Sequence, residues 1–265
     1  MRKYIRSSVT GVVSAATVAA GLALAMPADA ARHQPPKPTV VLVHGAFADS
    51  SGWDGVIERL RADGYPVRAA ATPLRGIASD AASVKSLVDF VGGPVVLVGH
   101  SYGGAVISAA AAGDPAVKSL VYIAAFAPDT GETIGALSAK PVKDPIPQLP
   151  LQQVPTGPGS ADLYIDPAKF RSVFAADVDR NTAADMAATQ EPLNAAAFSE
   201  PATAAAWKTI PSWYMVAQQD KAIAPNLERF MAARAGSRTV EVNSSHAAMV
   251  SHPEQVTRLI EAAAR

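Results

Sequence analysis

PVVLVGHSYGG, running from Pro94 to Gly104, is a short β-branched run that passes straight into a serine flanked by glycines. Val95 to Val98 has no polar interruption, which suits a strand buried on both faces. Gly99-His100-Ser101-Tyr102-Gly103 then matches the pattern G-x-S-x-G, and Gly104 opens an Ala-rich stretch reaching about Ala112 with helical character. In a chain rich in Gly and Ala the five-residue pattern alone carries little. Set between a strand and a helix it has a physical meaning. The sharp turn holds the serine in a strained backbone conformation, and neighbours without side chains let that turn close. The hydroxyl then stands clear of the sheet, beside a helix N-terminus that favours negative charge. Ser101 is therefore the candidate nucleophile.

Outward from this point the chain alternates strands and helices. Thr39–Val43 (TVVLV), Val67–Ala71, Pro94–Val98 and Leu120–Ala125 read as strands, with helices between them. Ser51 is the expected cap of the first helix, and Ser79-Asp80 the expected start of the second. Such βαβ spacing predicts parallel strands joined by right-handed crossovers. The alternation lapses from about 128 to 207, where prolines, glycines and short helical stretches (167–176 and 183–190) prevail. It resumes with Ser212–Val216, a helix from about Pro225, Thr239–Val242 and a last helix from Pro253. The reading is an α/β protein with a mostly parallel six-stranded sheet flanked by helices. It divides into a core over 31–128 and 207–265 and an insertion over 129–206.

A serine nucleophile needs oxyanion donors, a base and an acid. One donor is the backbone N–H after the nucleophile, on Tyr102; the other belongs to the loop after the first strand, His44-Gly45-Ala46-Phe47, and is assigned to Ala46 with Phe47 as the alternative. The base should follow the acid in chain order. Among the five histidines, His33 precedes every element, and His44 and His100 sit inside the two motifs, where packing or hydrogen bonding suits them. His252 precedes Pro253 at the start of the last helix. His246, in the loop after the last strand, lies where the carboxyl edge of a parallel sheet gathers reactive groups. Asp220, after the fifth strand, is the preferred acid, and Asp129, after the fourth, is the rival. Phe47, Phe126 and Met249 neighbour these motifs and are candidates to line an apolar substrate pocket.

Composition narrows the alternatives. Basic and acidic residues number 23 each, and no basic run occurs, so nothing marks a nucleic-acid or anionic-lipid partner. With no cysteine, a thiol nucleophile, a thiolate metal site and an iron–sulfur cluster are all excluded. The histidines show no metal-binding spacing, and neither a P-loop nor a dinucleotide fingerprint is present, so no metal or cofactor is expected. Residues 1–30 read as a cleaved signal peptide: Arg2, Lys3 and Arg6, an apolar Ala/Val/Leu stretch, then Ala28-Asp29-Ala30. That stretch is short and Ala/Gly-rich beside the roughly 20 strongly apolar residues of a membrane span. A secreted or periplasmic protein without stable membrane association is expected.

VVLVHGAFADSSGW, VVLVGHSYGG and the late Asp220 and His246 together resemble the α/β-hydrolase superfamily over most of the chain after residue 30. The His-Gly-Ala-Phe opening and six-strand plan are similar to the methylesterase and hydroxynitrile lyase branch and its bacterial relatives. The resemblance implies an α/β-hydrolase fold lacking the first two strands of larger members, with 129–206 forming a cap. It also implies hydrolysis of small to medium carboxylic esters through an acyl-enzyme on Ser101. Lyases of this branch carry Thr after the first loop histidine and Lys after the catalytic one, whereas this chain has Gly45 and Ala247. Cofactor-free perhydrolysis on the same triad and a non-catalytic ligand-binding role are the other readings.

Overall fold

Short apolar runs separated by amphipathic helices set the order of elements along residues 36–265, which the computed structural model describes. The expected signal peptide over 1–30 lies outside the described residues. From β1 (Thr39–Val43) the chain passes through α1 (Asp54–Ala62), β2 (Val67–Ala70), α2 (Ile77–Val91), β3 (Val95–His100), α3 (Tyr102–Ala110) and β4 (Val117–Ile123). An insertion follows, made of α4 (Ile134–Ser138), β5 (Leu151–Gly157), β6 (Ser160–Ile165), α5 (Pro167–Val173), α6 (Arg180–Ala188) and β7 (Leu193–Asn194). The chain then returns with β8 (Ser212–Ala217), α7 (Pro225–Arg234), β9 (Arg238–Val242), α8 (Ala248–Ser251) and α9 (Pro253–Ala263).

The main sheet has six strands in the order β2-β1-β3-β4-β8-β9, and every neighbouring pair is parallel. It is the α/β-hydrolase fold, with a sheet that is wholly rather than mostly parallel. Successive side chains of β1 explain why its sequence is apolar throughout. Val41 and Val43 enter a core shared with α2, α3, α7 and the insertion, while Val40 and Leu42 enter a second core with Trp53, Leu60, Val256 and Ile260. A strand covered on both faces has no polar side to show. Parallel strands also bring their carboxyl ends to one edge, so the loops after β1, β3, β8 and β9 converge there.

Two helix starts differ from expectation. Asp49, not Ser51, caps the first turn, its carboxylate accepting the Ser51 N–H at 2.7 Å. Helix α2 begins at Ile77 rather than Ser79, because the Glu200 carboxylate accepts the N–H groups of Ile77 and Ala78 at 2.7 and 3.0 Å. That cap comes from 123 positions away, beyond the reach of local sequence rules. The insertion contains the two expected helices as α5 and α6. It also holds an antiparallel sheet, β5-β6-β7, that the sequence did not signal. β5 is an edge strand, exposed from Gln152 to Gly157 and carrying Pro155, so it shows none of the apolar alternation of a half-buried strand and tolerates a residue without an N–H. No helix among the described residues is long and apolar enough to cross a membrane.

Candidate active site

The turn after β3 is built by close approach. A Cβ on Gly99 would lie 2.5 Å from the Gly103 carbonyl oxygen, and one on Gly103 would lie 2.7 Å from the carbonyl oxygens of both Val43 and His44. Glycine is required at both positions because backbone occupies the space of a side chain. Ser101, between them, adopts φ 53° and ψ −123°, a conformation that costs an L-residue of order 1–3 kcal/mol and persists only where the surroundings impose it. Its carbonyl accepts from the N–H of Gly104 and of Phe126, both at 3.0 Å, which pins the turn to α3 and to the end of β4.

The loop after β1 lies against this turn. A Cβ on Gly45 would sit 2.6 Å from Ser101 Cβ. Within that loop the Phe47 N–H donates to the Glu191 carbonyl at 3.0 Å, and Phe47 itself sits at φ 63°. The Phe47 N–H is thus already engaged, whereas that of Ala46 has no backbone partner among the described residues. Tyr102 occupies the first position of α3, where an N–H has no intrahelical acceptor. The phenol of Tyr102 donates to Asp80 at 2.8 Å, inside the protein. Burial, followed by the neighbouring Asp80, pushes the pKa of this phenol up, and burial raises that of Asp80 above the ordinary aspartate value.

His246 and Asp220 meet beside Ser101. The Nδ1–H of His246 donates to Asp220 Oδ2 at 2.5 Å, and Asp220 Oδ1 accepts the N–H groups of Ala222 and Ile223 at 2.6 and 2.9 Å. Both side chains are buried. His246 Nε2 has no hydrogen-bond partner among the described residues, and His246 lines the same cavity as Ser101. Asp129 lies elsewhere: its carboxylate pairs with Lys208 and accepts the Thr130 N–H at 2.6 Å, and the Lys208 contact holds its pKa down.

The cavity has a volume of about 330 Å³ and is lined by Ala46, Phe47, Ser101, Tyr102, Phe126 and His246 together with apolar residues of the insertion such as Ile134, Val142, Ile146 and Leu149. Met249 corrects an expectation. It is fully buried in the second core with Trp53 and Val256 and is not among the cavity residues. Its place in α8 carries its side chain to the α1 and α9 side of the sheet.

The partners in several supporting contacts went unassigned in the sequence reading. His100 is completely buried, and its Nε2–H donates to the His246 carbonyl at 3.0 Å. Burial, then the neighbouring His246, lowers its basicity well below that of an ordinary histidine, so it clasps the two loops as a neutral imidazole. Ala247 N–H donates to the Phe174 carbonyl at 3.0 Å, and Ser245 donates to Asp177, tying both flanks of His246 to the insertion. His44 Nε2 accepts the Thr72 N–H at 3.3 Å and its Nδ1–H donates to the Gly45 carbonyl at 3.0 Å, a role confined to shaping the loop. Asp80 carried a sequence signal, since it shares a helical face with Val84 and Val88. The partners of His100 carried none.

A parallel sheet with a serine on a strained strand-to-helix turn and a histidine–aspartate pair at its carboxyl edge defines a hydrolase of the α/β class. The sequence profile of the alpha/beta hydrolase family matches residues 40–259, and the chain belongs to that family. An alpha/beta hydrolase of Aspergillus novofumigatus, nvfD, is 30% identical over 254 residues, covering 86% of this chain and 97% of the relative. Among solved structures, a pyrethroid hydrolase from Sphingobium faniae is similar with a TM-score of 0.71 at 24% identity, covering 86% of this chain and 97% of the other. Polyneuridine aldehyde esterase is similar with a TM-score of 0.73 at 16% identity, covering 85% and 98%. These two share the fold.

Proposed function

We propose that this protein hydrolyses small to medium carboxylic esters by acyl transfer to Ser101 and then to water, without metal or cofactor. The observation that carries the reading is the meeting of Ser101, His246, Ala46 and Tyr102 on one apolar cavity. In the first step Ser101 Oγ attacks the ester carbonyl carbon while His246 Nε2 takes the hydroxyl proton. The N–H groups of Ala46 and Tyr102 hold the oxyanion of the tetrahedral intermediate. Its collapse breaks the bond to the alcohol oxygen, which leaves with the proton held by His246. A water molecule, deprotonated by His246, then attacks the acyl-enzyme, and Ser101 regains its proton as the acid departs. Asp220 keeps the imidazole in the Nδ1–H tautomer and stabilises the imidazolium. The insertion over 129–206 acts as the cap, because Ile134, Val142 and Leu149 wall the space beside Ser101. Those side chains favour an apolar acyl or alcohol group.

The hydroxynitrile lyase reading is disfavoured by packing as well as by sequence. A threonine at 45 would place its Cβ 2.6 Å from Ser101 Cβ. A lysine at 247 would have to be buried, since Ala247 is inaccessible. Assay of the protein and of Ser101→Ala on p-nitrophenyl esters from acetate to laurate tests the proposal. Turnover by the first and a loss on the order of a million-fold in kcat in the second are expected. Near-normal turnover by Ser101→Ala, or no turnover of any ester by a folded protein with tight retention of a ligand, would overturn it.

A further inference from the structure

Helix α7 carries a carboxyl group that the acyl-transfer steps do not use. Leu227, Glu228, Met231 and Ala232 form its buried face, so an acid stands in an otherwise apolar stripe. The Glu228 side chain is completely inaccessible. Its Oε2 accepts the N–H of Ala217, at the end of β8, at 3.1 Å. No N–H or hydroxyl of the described residues reaches Oε1. Asp220, whose own N–H donates to the carbonyl of the same Ala217 at 3.2 Å, is the neighbouring acid that acts on this carboxyl.

Two neighbouring carboxyls buried together do not both stay ionised, so one holds a proton. The partners decide which. Asp220 accepts from two backbone N–H groups and from His246, all of which favour its charge. Glu228 accepts from one. Arg229, next to it on α7, is the cation that favours a charge on Glu228, and it is the smallest influence because its guanidinium is directed to Glu241 at 2.6 to 2.8 Å. Tyr214, on β8, donates its hydroxyl to the Ala125 carbonyl. Burial, followed by the charge of Asp220, raises the pKa of Glu228 well above the ordinary glutamate value.

We infer that Glu228 is a positioning residue of the active site: it is neutral at physiological pH and donates its carboxyl O–H to Asp220, extending the line Ser101–His246–Asp220 by a fourth group. The inference rests on the assignment of Asp220 and His246 proposed above. A donated hydrogen bond stabilises the Asp220 charge and moderates its attraction for a proton on His246. Without that bond Asp220 draws more strongly, the imidazolium is favoured, and a higher pH is needed before His246 can act as a base. Glu228 thereby sets the pH range over which the base is available, without touching substrate.

The pH profiles of kcat/KM for the wild type, Glu228→Gln and Glu228→Leu test this. Glutamine retains an acceptor for the Ala217 N–H and a donor for Asp220, so its acid limb should coincide with that of the wild type. Leucine removes the donor and should move the limb to higher pH by on the order of one unit. A limb displaced to lower pH in Glu228→Gln would mean that a negative charge had been deleted, and would overturn the inference. So would limbs unmoved in both variants. Infrared difference spectra of resting wild type and Glu228→Gln at neutral pH give a reading independent of turnover and of whether the leucine variant folds. A protonated carboxylic acid band lost in Glu228→Gln is expected, and its absence from the difference would overturn the inference. Failure of ester hydrolysis would leave that measurement intact, so the two proposals fail separately.

Discussion

The turn around Ser101 is held by close backbone approach, within itself and against the ends of β1 and β4, whereas the insertion over 129–206 is joined to the core by side-chain hydrogen bonds from far along the chain. At the turn, Gly99 faces the Gly103 carbonyl and Gly104 N–H reaches the Ser101 carbonyl. In the insertion, Glu200 caps α2 across 123 positions, and Arg75 donates to the Pro192 carbonyl across 117. The two regions meet at the cavity with different obligations. The first must keep a strained serine in place against its own backbone preference. The second must wall the space beside that serine and hold the His246 loop, through Phe174 and Asp177. Local close packing serves the rigid demand. Scattered polar contacts leave the sequence of the insertion free to vary, and with it the shape of the cavity.

The sharpest way to break this contrast compares two aspartates. Asp220→Asn should lower kcat by about 10⁴ by spoiling the imidazole tautomer, while Asp129→Asn, at the start of the insertion, should change it less than about twofold, since its partner is an exposed lysine. A larger loss in Asp129→Asn, measured by steady-state kinetics, would move the acid to the insertion side.

Gly103→Ala should come next in effect. Its Cβ would meet the Val43 and His44 carbonyl oxygens at 2.7 Å, and such overpacking costs about 1–3 kcal/mol. Urea denaturation should show the loss, with activity falling further because the shifted backbone carries Ser101.

Glu228 gives a pH-dependent entry. With Glu228 neutral in the folded protein, as inferred above, burial favours its protonated form there while the unfolded chain ionises it. Between the unfolded and the raised folded value the unfolded state binds fewer protons, so stability falls as pH rises, by up to about 1.4 kcal/mol per unit. Glu228→Gln removes that slope, and its gain in Tm over the wild type should grow as pH rises above the ordinary glutamate pKa.

The smallest effect belongs to the insertion. Glu200→Ala should cost about 1 kcal/mol, the loss of a helix cap, with faster hydrogen exchange at Ile77 and Ala78 and little change in kcat. A loss of activity comparable to that of Gly103→Ala would show that the long-range contacts are as strict as the turn.

The places of Ser101, His246, Asp220, Tyr102 and Ala46 at one edge of the sheet were readable because each stands at a fixed offset from a strand whose apolar run marks its end. Glu228 and Asp80 left a fainter trace, an acid on the buried face of α7 or α2, which becomes informative only once its neighbour is known. Met249 was misplaced because proximity to a motif along the chain does not say which face of the sheet a side chain enters. The β5-β6-β7 sheet escaped notice because an exposed edge strand with Pro155 has no two-residue apolar period.

The sequence by itself determined the parallel sheet, the serine turn and the chain order of Ser101, Asp220 and His246. Those depend on steric and hydrophobic rules that act within a few residues and on the shared direction of the strands. Tertiary structure alone decided that the Phe47 N–H is engaged, that His100 bonds the His246 carbonyl, and that Glu228 is buried with its carboxyl on the Ala217 N–H. Those outcomes depend on distances between segments that the chain brings together only when it folds.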